Sequence, residues 1–85
     1  MDTNDKIILR SALKSLRELG TRGALKKNLR NLVETETDTL MTSADFDALV
    51  KLLVDRKYAS SWFDPVTKEE RLAVTGRGID IEQTL

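Results

Sequence analysis

Catalysis near neutral pH usually relies on side chains that this sequence lacks. Its 85 residues contain no histidine and no cysteine, which removes the commonest general base, the commonest nitrogen ligand of metals and every thiolate site. Carboxylates are numerous, but Asp45 and Asp47 fit the start of a helix, and Glu69 and Glu70 fit a turn. Neither pair has the apolar setting that tunes one carboxyl as an acid. We therefore expect no enzyme activity, no metal, no cofactor and no small-molecule substrate.

Two short segments carry residue types that bind ligands, and neither has the required spacing. Residues 75–78, TGRG, are rich in glycine but lack the lysine of a phosphate-binding loop. Residues 34–38, ETETD, supply carboxylates without the spacing of an EF-hand calcium loop. The sequence therefore predicts neither a nucleotide cradle nor a calcium site.

Charge is distributed unevenly along a chain whose net charge is zero. Residues 1–33 carry eight basic and three acidic side chains, a net charge of +5, whereas residues 34–85 carry six basic and eleven acidic ones, a net charge of −5. This asymmetry indicates a basic face for an anionic partner, attraction between the two halves, or head-to-tail association of copies. The sequence leaves all three interpretations open.

Three amphipathic helices are predicted to position these charges. Apolar residues spaced three and four apart predict helices over residues 4–19, 21–36 and 44–57, and Gly20 is expected to end the first. Thr42, three residues before Asp45, predicts a hydroxyl cap for the third helix. Residues 34–40 alternate threonine and acid, which favours a loop with room for a short strand at residues 39–41.

The apolar period changes to two after the third helix. YASSWF and RLAVT predict two strands separated by DPVTKEE, a hairpin whose loop has about seven residues. Thr75 is expected to cap a short closing helix that Ile79 anchors. We therefore predict one α+β domain over residues 1–85, three helices packed on a small antiparallel hairpin.

Neither a membrane span nor a secretory signal is indicated. No apolar run approaches the length that crosses a bilayer. The acidic start MDTNDK also lacks the basic region of a signal peptide. We expect a cytoplasmic protein without a membrane partner.

The predicted order of elements resembles the winged-helix, or winged helix-turn-helix, superfamily along nearly the whole chain. The segments that carry the resemblance are the helix-to-hairpin junction FDALVKLLVDRKYASSWFD and the strand exit LAVTGRG. The run from Thr75 to Asp80 is also similar to small winged-helix proteins of Mu-like phages and prophages. The resemblance implies DNA as the partner, the third helix in the major groove, the hairpin as a wing beside the backbone, and a role in transcription regulation.

The predicted third helix is a poor reader of DNA, because it exposes Asp47 and Asp55 and offers no arginine or asparagine to a base edge. The second helix is more basic, and its cations are either a solvated face or a ridge for three or four phosphates. The predicted nucleic-acid contacts are Arg22, Lys26, Lys27 and Arg30 as the main ridge, with Lys51, Lys68 and Arg71 as secondary contacts.

An alternative function is a winged-helix module that binds proteins and no nucleic acid. Trp62 and Phe63 are adjacent in a predicted strand and therefore point to opposite faces, so at most one is expected to be fully buried. Tryptophan is enriched at the energetic centres of interfaces. These two residues are the predicted protein-interaction site, for a homodimer or a different partner.

Overall fold

A computed structural model describes the backbone of residues 3–85 and the side chains from residue 5 onward. A three-stranded antiparallel sheet with the strand order β1–β3–β2 lies beside four helices. This arrangement confirms the α+β class and adds a third strand to the prediction, and the short closing helix expected after Thr75 has nine residues. In chain order the elements are α1 Thr3–Leu19, a 3-10 turn Gly20–Arg22, β1 Ala24–Leu25, α2 Lys26–Thr37, α3 Ser43–Asp55, β2 Ala59–Asp64, β3 Glu69–Val74 and α4 Gly76–Thr84.

Helix α1 contributes four buried side chains to the hydrophobic core. Leu9, Ala12, Leu13 and Leu16 form its buried stripe, at the three- and four-residue spacing that predicted the helix. The helix ends where the sequence indicated, because Gly20 takes a φ of +69° that a side chain disfavours.

The segment before α2 differs from the prediction. The second helix begins at Lys26 rather than at residue 21, because Gly23 has a φ of +68° and turns the chain into β1. There Ala24 pairs with Leu72 and Leu25 with Arg71 on β3. Burial of Ala24 and the new ladder outweigh the helical tendency of these residues.

The end of α2 lies one residue beyond the predicted bound at residue 36, so the loop expected over residues 34–40 begins only at Asp38. The helix continues to Thr37, whose hydroxyl donates to the Val33 carbonyl at 2.7 Å. It ends at Asp38, which has a left-handed φ of +51°. Residues 39–41 form the expected loop, and the short strand for which the sequence left room does not form, since that segment connects α2 to α3 without strand pairing.

Helix α3 begins as predicted and leads into the hairpin. The Thr42 hydroxyl accepts from the Asp45 N–H at 3.1 Å, and Phe46, Val50 and Leu53 are buried. The helix ends at Asp55, two residues earlier than expected.

The hairpin is tighter than predicted. β2 and β3 pair from Ala59 with Val74 to Asp64 with Glu69, so residues 65–68 form a four-residue loop in place of one of about seven. Asp64 explains the difference, because its carboxylate accepts from the Val66 N–H at 2.9 Å and from Arg71 Nε at 2.6 Å. These bonds extend the ladder into the acidic segment that the sequence assigned to the turn.

Helix α4 closes the domain against α1. The Thr75 hydroxyl caps it by accepting from the Gly78 N–H at 3.1 Å, as predicted. Ile81 and Leu85 pack on the core, so the expectation of Ile79 as the anchor is wrong. Gly78 lies against the backbone before β2, and a Cβ at this position would overlap the Tyr58 carbonyl. The face of α4 that carries Gly78 can therefore pack there only because residue 78 has no side chain. No helix of the described chain is both long and apolar enough to cross a membrane.

Candidate nucleic-acid interface

A groove of about 330 Å³ opens where the first turns of α2 and α3 meet β3. It is termed the charged groove here, since six of its eight lining residues are lysine, arginine, aspartate or glutamate. Its lining residues are Lys26, Lys27, Arg30, Ser43, Phe46, Asp47, Glu69 and Glu70.

Lys26 connects the three elements of the charged groove. Its Nζ lies 2.9 Å from Asp47 Oδ1 on α3 and 4.0 Å from Glu70 Oε2 on β3. The lysine side chain is one-third exposed, and the Asp47 side chain is mostly exposed. Surface ion pairs of this kind contribute little to the stability of the fold. They leave the Lys26 ammonium group accessible to other anions, such as a phosphate group.

Lys27 and Arg30 differ in how much of their charge is available. The Lys27 Nζ lies 3.3 Å from Glu69 Oε1, and 67% of the lysine side chain is exposed. Arg30 instead donates to the Met41 carbonyl and, at 3.4 Å, to Ser43 Oγ, and it lies 3.7 Å from Glu34. Arg30 therefore holds the connection between α2 and α3 in place, while Lys27 extends into solvent.

Arg22 and Arg71 lie outside the charged groove. Arg22 belongs to the 3-10 turn, so its prediction as part of a ridge on the second helix is corrected. Its carbonyl accepts from Arg71 Nη1 at 3.3 Å. Arg71 also donates to Asp64, and that hydrogen bond, followed by the one from the Val66 amide, lowers the pKa of the Asp64 carboxyl.

Lys51 and Lys68 are peripheral to the groove. Lys51 is exposed on α3, one helical turn beyond Asp47, and it forms no ion pair within the described residues. Lys68 is at the hairpin tip with a φ of +59°, and it too has no carboxylate partner in the described part of the chain. The structure thus brings together Lys26, Lys27 and Arg30 from the predicted set and separates the other cations from them.

The two oppositely charged halves of the chain meet in the folded protein. Six of the seven ion pairs in the described region join a cation of residues 1–33 to a carboxylate of residues 34–85. Asp47, Glu69 and Glu70 were expected at a helix start and a turn, and their ion pairs with the basic ridge were not predicted. The opposite signs of the two halves were the signal that favoured this pairing.

Trp62 and Phe63 remain at the surface of the hairpin. Trp62 is 39% exposed and Phe63 is 65% exposed, so neither ring reaches the core. The fully buried large side chain of the hairpin is instead Leu72 of β3. The Trp62 ring lies over Gly23, so close that a Cβ on residue 23 would be 3.1 Å from Trp62 Cη2.

Helices α1 to α3, the short strand β1, and the β2–β3 hairpin at the end of α3 define a winged-helix fold. Among solved structures, the chain is similar to F93 from STIV, a winged-helix DNA-binding protein, with a TM-score of 0.70. The sequences are 21% identical, and the match covers 99% of this chain and 84% of that one. No protein-family model and no curated protein matches this sequence.

Proposed function

We propose that residues 1–85 act as one winged-helix domain that binds DNA by contacting phosphates through Lys26, Lys27 and Arg30 of α2. The observation that carries the proposal is the convergence of these three cations on one groove beside α3 and the hairpin. The DNA-binding character of the similar winged-helix structure supports the same partner. As part of the same proposal, we infer that the chain acts as a small regulator of transcription of the phage or prophage type.

The carboxylates of the charged groove would act as internal counterions in the free protein. Phosphate oxygens replace Asp47 and Glu70 at Lys26, and Glu69 at Lys27, when the duplex binds. Lys27 is the most exposed of these cations and is expected to make the first contact. Arg30 contributes mainly by fixing the start of α3 through Ser43.

Secondary phosphate contacts are assigned to cations that do not line the groove. Arg22, Lys51 and Lys68 form no ion pairs in the described chain and are free to follow a phosphate backbone. Arg71 is a weaker contributor, because its guanidinium is already bonded to Asp64. The hairpin therefore assists binding and α2 provides most of it.

Titration of the protein with a generic duplex at about 50 and 200 mM salt tests this proposal. Lys26→Glu combined with Lys27→Glu is expected to weaken binding by at least roughly tenfold at the lower salt concentration. The matched control combines Lys6→Glu and Arg10→Glu on the exposed side of α1, which changes the net charge equally. Absence of wild-type binding at 50 mM salt, or equal losses in both double variants, would overturn the proposal.

A second candidate function is protein binding through the hairpin. The exposure of Trp62 and Phe63 on neighbouring positions of β2 favours it, since large aromatic side chains anchor many interfaces. In that case the charged groove is only a set of intramolecular ion pairs, and neither double variant changes the affinity for DNA.

A further inference from the structure

The outer edge of β2 is an open hydrogen-bonding template. β2 lies at one end of the order β1–β3–β2, so one of its edges has no neighbouring strand in the described chain. Residues 60–63 are all exposed, although they belong to a six-residue strand. A strand edge with unpaired N–H and C=O groups favours the addition of another strand.

The backbone geometry identifies which groups point outward. The carbonyls of Tyr58 and Asp64 each accept a backbone hydrogen bond from a residue that flanks β3, from the Thr75 N–H at 3.0 Å and from the Lys68 N–H at 2.7 Å. Along an antiparallel strand, the N–H and C=O groups of successive residues point alternately to the two edges. Even-numbered residues of β2 therefore bond to β3, and Ser61 and Phe63 direct their N–H and C=O groups away from it.

This edge lacks the features by which proteins usually protect a terminal strand. Charged side chains, proline and β-bulges are the common protection, yet residues 59–63 contain no charged residue and no proline and pair with β3 without a bulge. Trp62 and Phe63 add exposed apolar surface on opposite faces of the strand. Both the backbone and the side chains of this edge therefore suit a strand-forming partner.

We propose that two copies of this chain associate through their β2 edges, antiparallel about a two-fold axis at Trp62, and so extend the sheet across both copies. The register places Ser61 opposite Phe63 of the second copy, so the outward groups of both residues form four backbone hydrogen bonds. It also places Ser60 opposite Asp64 of the second copy, whose carboxylate stays bonded to its own Arg71 and to the Val66 amide.

Charge selects the antiparallel arrangement of two identical strands. Asp64 is the sole ionisable residue of β2. In the proposed register the two Asp64 residues are four positions apart, a separation of about 14 Å. This exceeds the screening length of about 10 Å at 0.1 M salt. A parallel pair would place the two carboxylates side by side, where the Arg71 partner of each offsets only part of their repulsion.

The proposed dimer rests on the second candidate function and names its partner, and it does not depend on DNA binding. Its edge is short, so the buried area falls in the class of weak and transient interfaces. We therefore expect a concentration-dependent dimer that is populated above roughly 100 µM protein.

Sedimentation equilibrium and residue-resolved amide hydrogen exchange test the dimer between about 10 µM and 1 mM protein. The mass is expected to rise from 9.6 kDa toward twice that value. Over the same range the amides of Ser61 and Phe63 gain protection, whereas those of the even-numbered residues are protected throughout. A monomer at 1 mM, or a dimer in which the Ser61 and Phe63 amides exchange as fast as in the monomer, overturns the proposal.

Two variants separate edge pairing from association through another surface. Ser61→Pro removes an outward N–H without removing a bond to β3, and Phe63→Lys introduces a charge at an exposed edge position. Each is expected to weaken the dimer at least tenfold, while Ile7→Lys on exposed α1 leaves it unchanged. If Ser61→Pro does not fold, Phe63→Lys still decides the question. The proposal is overturned if the Phe63→Lys variant dimerises as strongly as the wild-type protein. DNA affinity is scored separately with the Lys26 and Lys27 variants.

Discussion

The neighbours of each basic side chain decide what that residue offers to a ligand. Arg30 and Lys27 lie one turn apart on α2, yet Arg30 is bonded to the Met41 carbonyl and Ser43, while Lys27 has only a surface carboxylate partner. Substitution of Arg30 would therefore disturb the start of α3 as well as remove a charge. Lys27 is the better residue for testing electrostatic binding alone.

Asp64 gives a prediction at this scale. Hydrogen bonds from Arg71 and the Val66 amide lower its pKa below the ordinary value of 3.8. The carboxylate therefore stabilises the folded hairpin above about pH 4, and this contribution is lost as the pH falls through the lowered pKa. We expect Asp64→Asn to lower the urea midpoint at pH 7, and the difference from wild type to shrink by pH 2.5.

The control for this prediction is Asp80→Asn, which removes an exposed carboxylate that has no hydrogen bond to the described chain. Its urea midpoint at pH 7 is expected to stay close to that of the wild type. A constant difference between Asp64→Asn and wild type from pH 7 to pH 2.5 would contradict the role assigned to the ionised Asp64.

At the scale of elements, one close backbone approach determines where α2 begins. Gly23 brings the chain to β3, and a Cβ at this position would overlap the Leu72 carbonyl and lie 3.1 Å from Trp62 Cη2. The chain can pair Ala24 with Leu72 only because residue 23 has no side chain. The short strand β1 and the later start of α2 follow from that contact.

Gly23→Ala is therefore expected to reduce the free energy of unfolding by about 2 kcal/mol or more, because strain at a positive φ adds to the overlap with β3. Gly20→Ala is the matched control, since Gly20 has nearly the same φ of +69° but open space around the added Cβ. Its expected cost is about 1 kcal/mol, from backbone strain alone. Equal losses in urea denaturation would show that the approach to β3 is not tight.

At the scale of the whole molecule, folding brings the two charged halves together. Residues 1–33, with a net charge of +5, form ion pairs with residues 34–85, with a net charge of −5, at the charged groove and between α1 and α4. Between the two helices, Arg17 Nε lies 2.7 Å from Glu82 Oε2. The hydrogen bond to Glu82 raises the pKa of Arg17, so the guanidinium holds its proton more strongly in the folded protein. The lysines of the basic ridge are thus paired with carboxylates from α3 and β3 in the folded protein.

If DNA binds at the charged groove, the groove carboxylates compete with phosphate for the same cations. Asp47→Asn, Glu69→Gln and Glu70→Gln together are expected to strengthen DNA binding at 50 mM salt by roughly tenfold. The salt dependence is expected to steepen as well, because more phosphates are neutralised by the freed cations. Titration with the same generic duplex measures both quantities.

The control triple variant changes the net charge equally at distant positions. Glu18→Gln, Asp38→Asn and Asp80→Asn neutralise three exposed carboxylates that do not line the charged groove. Binding is expected to strengthen no more than about threefold, through the general field of the protein. Equal gains in the two triple variants would mean that the groove has no special part in binding.

The regular elements were predictable to the extent that local patterns define them. Helix α1, the Thr42 and Thr75 caps and the two strands of the hairpin follow from apolar spacing and capping chemistry, which act over a few residues. The start of α2, the strand β1 and the length of the hairpin loop depend on contacts with β3 or on the Asp64 hydrogen bonds. Such contacts are not visible in a local pattern.

The sequence by itself determined the α+β class, the order of most elements, the missing chemistry of histidine and cysteine, and the uneven distribution of charge. Only the tertiary structure decided which carboxylate meets which cation, and that both Trp62 and Phe63 stay exposed on an edge strand. The physical reason is distance along the chain. Ion pairs such as that of Lys27 with Glu69 join residues far apart in sequence, and their partners are fixed only when the core packs.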